Sequence, residues 1–304
     1  MQRLLTFFLL LAFAWPALRA QDAPLPPERI RGSARLAPDL AYPTEPSRLS
    51  MFSSPSMALY KPEGEGPFPA LVLMHQCGGL RNAAGNWQNL SMLEWAKAAV
   101  ARGYVVLLVD AFASRSVESV CMGARNGMTF GRGTRDALLA GAHLRNLPYV
   151  DKERIAVAGY SWGAMVAVMA SGQRWADALG DGFRFRAAAA FYPGCFTIRP
   201  PNSPSYEIVN GDIDRPLLVL MGGQDTETPA AECTGKLEPL KAAGAPVSLH
   251  LYPEATHCWD CRNLNNFRKV DSRGNQVVYR YDEKVLRDSE QRMFDFLDQS
   301  MPRK

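Results

Sequence analysis

The sequence predicts an α/β domain built on a mostly parallel, doubly wound sheet with helices on both faces. Three observations carry that expectation. From residue 69 onward, short apolar or β-branched runs alternate with segments of helical periodicity, the pattern of strand–helix–strand units. One G-x-S-x-G stretch, Gly159-Tyr160-Ser161-Trp162-Gly163, lies between a strand-like run and a helix-like one, at a turn tight enough to require glycine. The chain has 304 residues, 47% hydrophobic and 21% charged, a globular balance with no internal repeat or low-complexity tract to mark a second architecture.

The elements follow in order. Met1-Gln2-Arg3 is a short basic start, Leu4 to Trp15 is apolar, and Pro16 to Ala20 ends in a small residue. Residues 1–20 read as a secretory signal cut at Ala20/Gln21, with Leu18 leaving room for a cut a few residues away. The apolar run falls short of the roughly 20 residues a span needs, so no stable membrane insertion is expected after cleavage. Residues 21–47 carry Pro24, Pro26, Pro27, Pro38, Pro43 and Pro46, which forbid a helix and predict an extended arm. The domain is then residues 48–304. Its expected strands are Pro69–His75, Tyr104–Asp110, Ile155–Tyr160, Ala187–Tyr192, Leu217–Met221 and Val247–Tyr252. The intervening helices are expected at Trp87–Arg102, Thr134–Leu147, Ala164–Ser171 and Pro229–Ala243. A final amphipathic helix, Glu283–Gln299, turns Val285, Leu286, Met293, Phe294 and Leu297 inward.

Charge excludes one class of partner. The whole chain carries a net +4, and loss of Arg3 and Arg19 with the signal leaves 32 basic against 30 acidic residues. No basic stripe with interleaved aromatics exists, so nucleic acid is not an expected partner. Six cysteines, Cys77, Cys121, Cys195, Cys233, Cys258 and Cys261, all follow the signal. An even count in an exported chain predicts disulfides. Cys258-x-x-Cys261 lacks a second CxxC and has only four histidines in the chain to draw on, so a structural bridge is expected there and no metal site.

G-x-S-x-G alone has little specificity, but strand, motif and helix together are the context in which it presents a serine hydroxyl. A serine needs a base to take its proton and a third group to orient that base. In this sheet type the partners follow the serine as Asp or Glu and then His. His250 lies inside a strand, whereas His257 follows it in PEATHCWD, at the carboxyl edge where ligands bind. His257 is therefore the expected base. Asp225, in the Gly-rich loop after Leu217–Met221, is the expected orienting acid, with Glu227 its rival; Asp212 and Asp214 precede the strand. Backbone N–H groups of Trp162 and Cys77 are the expected oxyanion donors, with Gln76 the alternative to Cys77. His75 reads as a loop organiser.

These motifs resemble the dienelactone hydrolase family of α/β-hydrolases over roughly residues 50–300. The resemblance rests on H-Q-C-G-G at 75–79, LLVDAF at 107–112, G-Y-S-W-G at 159–163, M-G-G-Q-D at 221–225 and Y-P-E-A-T-H at 252–257. It implies an α/β-hydrolase fold and a hydrolase of small-molecule esters or lactones that works without metal or organic cofactor. The family's founding members have cysteine at the elbow and glutamate in the oxyanion loop, where this chain has Ser161 and Gln76. Both departures point to an ordinary carboxylic-ester hydrolase, like the family's exported serine branch. A peptidase or acyltransferase on the same scaffold is the rival enzyme reading. An exported binding protein that has lost its chemistry is the non-enzyme one.

Loops following strands at one edge pair Cys77 with Cys121 and Cys195 with Cys233, and leave Cys258–Cys261 as a local bridge. Pocket walls are expected from 112–128, from 196–208 and from the segment after His257. Within that segment, the turn formers of 271–275 predict a short hairpin, either a cover over the pocket or a plain surface loop. Arg115 reads as a solvated loop residue, with an anion-binding role as the alternative.

Overall fold

Strand β2 (Phe68–Met74) carries no polar side chain and is buried from Pro69 onward, so its place is inside a sheet covered on both faces. A computed structural model describes residues 37–81, 88–200 and 204–303. The signal expected over 1–20 lies outside them. Seven strands form the main sheet in the order β1-β3-β2-β4-β5-β8-β9, where β1 is Ala58–Tyr60, β3 Val105–Val109, β4 Val150–Tyr160, β5 Ala187–Phe191, β8 Leu217–Gly222 and β9 Val247–Tyr252. All pairings are parallel except β1 with β3. Strand β1 was not expected, since three residues at an edge carry no period to read. Two small ribbons, β6 (Thr197–Ile198) with β7 (Tyr206–Glu207) and β10 (Arg268–Val270) with β11 (Gln276–Val278), stand apart from the sheet.

Alternate residues of each central strand serve different helices, as a period of two demands. Val72, Met74, Leu107 and Val157 pack toward α2 (Phe130–Arg145) and α3 (Trp162–Ser171). Leu71, Leu73, Leu108 and Ala158 pack toward α1 (Leu90–Ala101) and α6 (Glu283–Ser300). Helix α6 buries Leu286, Met293, Phe294 and Leu297, as its periodicity predicts; Val285 is only partly buried. Each large apolar side chain withdrawn from water contributes about 1.5–3 kcal/mol. Exposed pairs such as Arg292–Asp288 are worth about 0.2–1 kcal/mol. The apolar stripe therefore holds α6.

Helix α1 opens at Leu90, three residues after the expected Trp87, which lies outside the described residues. Three further departures each have a local reason. Helix α2 starts at Phe130, four residues before Thr134, with Thr129 Oγ1 accepting from Arg132 N at 3.1 Å. Gly131 and Gly133 weaken helical propensity there, yet Gly133 is needed: a Cβ would lie 2.4 Å from Trp162 Cη2. Strand β4 extends back to Val150 through Asp151-Lys152-Glu153, too polar to read as strand. Helix α3 ends at Ser171 as expected, but helix α4 (Gln173–Leu179), which follows after a single glycine, was not expected, its seven residues being too few to show a period. Helix α5 (Ala230–Ala242) lies where expected.

All three expected disulfides are present: Cys77–Cys121, Cys195–Cys233 and Cys258–Cys261. The first two close loops of 44 and 38 residues, for which chain entropy gives about 4 kcal/mol each. Arg115 is neither solvated nor free to take an anion. Its guanidinium is buried, pairs with Asp136 at 2.6 Å and donates to Ala111 O and Pro38 O. Arg132 bridges Asp136 and Asp39, and Tyr42 donates to Asp136 O at 2.7 Å. Residues 38–42 are thereby tied to α2.

Candidate active site

Strand β4 ends at Tyr160 and α3 begins at Trp162, so one residue makes the turn. That residue, Ser161, has φ of 53°, in the left-handed region most side chains avoid. The flanking glycines make the turn possible. A Cβ on Gly159 would lie 1.9 Å from Gly163 O, and one on Gly163 would lie 2.3 Å from Met74 O. The turn is closed by Ser161 N donating to Phe191 O and Met165 N to Ser161 O.

The structure brings Ser161, His257 and Asp225 together in one hydrogen-bonded row. Ser161 Oγ lies 2.9 Å from His257 Nε2, and His257 Nδ1 lies 2.7 Å from Asp225 Oδ2. Asp225 offers only acceptors to Nδ1, which fixes the proton on Nδ1 and leaves the Nε2 lone pair facing the serine hydroxyl. Asp225 is itself held by its own turn. Its Oδ1 accepts from Glu227 N and Thr228 N at 2.9 Å each, and its Oδ2 from Thr228 Oγ1 at 2.8 Å. All three side chains are buried. Burial opposes a charge on His257, but Asp225 and Glu227 outweigh it and raise its proton affinity above that of an ordinary histidine.

His75 and His250 take the places expected of them. His75 Nδ1 donates to Gln76 O at 2.7 Å while its Nε2 accepts from Ala111 N at 3.2 Å, which ties the loop after β2 to the end of β3. Burial keeps its ring neutral. His250 is half-buried on β9 against Tyr252. Cys77 and Trp162, the two expected backbone donors, both line the cavity that contains Ser161. Trp162 opens α3, where first-turn N–H groups lack intrahelical acceptors. Gln76 directs its side chain to Asn89 and Tyr192, into the interior.

The cavity holds about 370 Å³ and is walled by Val120, Met128, Phe130, Met165, Phe196 and Tyr206. Residues Asp271, Ser272 and Arg273, at the turn of the β10–β11 hairpin, line it too. The hairpin is fastened to the Asp225 loop. Thr226 Oγ1 donates to Gln276 O at 2.8 Å, Lys269 Nζ lies 2.7 Å from Glu227 Oε1, and Tyr279 OH donates to Glu227 Oε2 at 2.8 Å. Glu227, considered in sequence only as an alternative to Asp225, thus sits beside the row; its Oε2 is 3.8 Å from His257 Nε2. Sequence reasoning had no access to Thr228, Lys269 and Tyr279, whose roles arise from packing between distant segments. Cys258, Asp260 and Cys261 form a compact donor cluster, but both sulfurs are in a disulfide and Asp260 accepts from Trp95 Nε1 and Tyr192 OH.

A parallel sheet, a serine on a strained strand-to-helix turn and a histidine after the last sheet strand define the α/β-hydrolase class. Residues 56–301 match the model of the dienelactone hydrolase family, and the chain belongs to that family. Over 111 residues it is 29% identical to a protein of Salmonella typhimurium named "Putative carboxymethylenebutenolidase", a stretch covering 36% of this chain and 38% of that one. It is 32% identical over 114 residues to "Esterase FrsA" of Shigella boydii, covering 36% of this chain and 23% of that one. The chain thus matches less than two-fifths of the length of these curated relatives. Esterase 2 of Thermogutta terrifontis, solved phosphonylated by cyclosarin, superposes with a TM-score of 0.59 at 16% identity, over 82% of this chain and 90% of that one. At that identity the likeness is one of fold.

Proposed function

We propose that this protein is an exported serine hydrolase of carboxylic esters or lactones, acting through Ser161, His257 and Asp225 by way of an acyl-enzyme. The observation that carries the reading is the unbroken row Ser161 Oγ–His257 Nε2, His257 Nδ1–Asp225 Oδ2, ending on an apolar cavity. Ser161 Oγ attacks the substrate carbonyl as its proton passes to His257 Nε2. Asp225 keeps the imidazole in the useful tautomer and stabilises the imidazolium. The Cys77 and Trp162 N–H groups stabilise the oxyanion, and the C–O bond to the leaving alcohol breaks as His257 returns the proton to it. Water, deprotonated by the same nitrogen, then releases the acid and restores Ser161.

Residues 48–304 are the proposed catalytic domain, preceded by a signal over 1–20 and the arm over 21–47. The three disulfides support export to an oxidising compartment. No helix among the described residues is long and apolar enough to cross a membrane. A fluorophosphonate probe tests the reading directly: one label per chain, on Ser161, is expected by peptide mass spectrometry. Labelling elsewhere, or none, refutes it.

Selection by size should come from the hairpin turn. Ser272 is exposed and small, so Ser272→Trp leaves folding intact while narrowing the cavity it lines. The ratio of kcat/KM for a hexanoate over an acetate ester is expected to fall about tenfold, the scale of discrimination an apolar pocket provides. An unchanged ratio would remove the turn from the acyl site.

A further inference from the structure

The Asp225 turn places a second carboxylate near the other ring nitrogen of His257. Glu227 Oε2 lies 3.8 Å from Nε2, the nitrogen that faces Ser161 Oγ at 2.9 Å. Glu227 lines the cavity with Ser161, and its side chain is only 13% exposed. It has little freedom to turn away: Lys269 engages Oε1, Tyr279 OH donates to Oε2, and Arg273 donates to its backbone carbonyl. Burial favours the neutral acid, but His257 and Lys269 outweigh it and keep the carboxyl below its ordinary range, hence ionised through neutral pH.

We propose that Glu227 is a positioning residue for the base, a second carboxylate that holds the imidazolium from its Nε2 side while Asp225 holds it from Nδ1. This rests on His257 being the base. When the Ser161 proton reaches Nε2, the ring becomes positive with a fixed negative charge within 4 Å of each nitrogen. Such charges act strongly because the ring is buried and water cannot screen it. Lys269 sets the size of the effect by partly neutralising Glu227 from the hairpin. The hairpin therefore reaches the chemistry electrostatically, besides forming a wall.

The remaining groups around the ring leave these charges in control. From the β5 end, the Tyr192 ring packs edge-on at 4.7 Å and its hydroxyl is committed to Asp260. From the β11 end, Tyr279 lies at 5.5 Å with its hydroxyl on Glu227. Thr228 and Ser161 are neutral. Asp260 is buried, with Trp95 and Tyr192 donating to it, and burial pushes its carboxyl up. For His257 itself, burial lowers proton affinity, Asp225 and Glu227 raise it, and Lys269 lowers it.

Two charge-removing variants give opposite signs. His257 must be neutral to accept the proton, so activity is lost as pH falls through its pKa. Glu227→Gln keeps its shape and one oxygen, which accepts from Lys269, while its NH₂ donates to the Tyr279 hydroxyl oxygen; the negative charge is lost. The acid limb of kcat/KM on an uncharged ester is expected to move about one pH unit lower, with kcat about tenfold down and KM within about twofold. Lys269→Met removes the opposing cation, and its acid limb is expected to move to higher pH. A mere anchor for the hairpin would lower thermal stability in both variants and leave both acid limbs in place. An unmoved limb in folded Glu227→Gln overturns the proposal. Should that variant fail to fold, an unmoved limb in Lys269→Met does so. A Ser161→Ala protein that keeps its rate overturns the serine reading instead, whatever these profiles show.

Discussion

Ser161→Ala is expected to lower the rate on an activated ester by at least about 10⁴-fold, with the fold intact. The hydroxyl is the only nucleophile on the turn, and among the described residues it alone is within hydrogen-bond distance of His257 Nε2, with Glu227 Oε2 farther off at 3.8 Å. The residual rate would come from the oxyanion donors and from binding in the cavity. Structural cost should be small. The substitution removes one hydrogen bond, worth about 0.5–1.5 kcal/mol net, and Ala carries the same left-handed strain that Ser already bears. Initial rates with a p-nitrophenyl ester, alongside circular dichroism and thermal unfolding, check both halves. A folded mutant with more than about a hundredth of the wild-type rate would take the nucleophile's role from Ser161.

The fold was legible because its central strands contain unbroken apolar runs and its helices are separated by turn formers. PALVLMH and YVVLLVD admit few alternatives to buried parallel strands. What escaped was either very short, as β1, or locally at odds with its own propensity. The first turn of α2 is the clearest case. Gly131 and Gly133 argue against helix, and only the Trp162 ring, packed from the serine turn, explains why Gly133 must be there. The candidate site was legible at the residues whose order along the chain the sheet dictates, namely Ser161, Asp225 and His257. Its supporting shell was not. Glu227 touches Lys269 and Tyr279 across 42 and 52 residues, and no local pattern marks such a meeting. Sequence could rank Asp225 above Glu227 only by distance from the strand end; the two carboxylates stand near different nitrogens of one imidazole.

Asp225→Asn is expected to lower kcat/KM by about 10³–10⁴-fold at a pH where His257 is neutral, about 4–5.5 kcal/mol of transition-state stabilisation. The turn forces the orientation of the new amide. Oδ1 accepts from Glu227 N and Thr228 N, so the amide oxygen must stay there, because the NH₂ would face two donors. The NH₂ is then left facing His257 Nδ1, which must accept. That moves the ring proton to Nε2 and points it at Ser161 Oγ, removing the lone pair that should take the hydroxyl proton. Loss of the negative charge also lowers the proton affinity of the ring, so the acid limb should shift to lower pH even as the plateau falls. The two readouts separate tautomer from charge: Glu227→Gln moves the limb with a modest plateau loss, whereas Asp225→Asn moves it with a large one. A plateau loss below about tenfold in Asp225→Asn would mean that Asp225 does not orient the base. In that event an Asp225→Asn, Glu227→Gln double variant that loses far more than the product of the single losses would show that the two carboxylates substitute for each other.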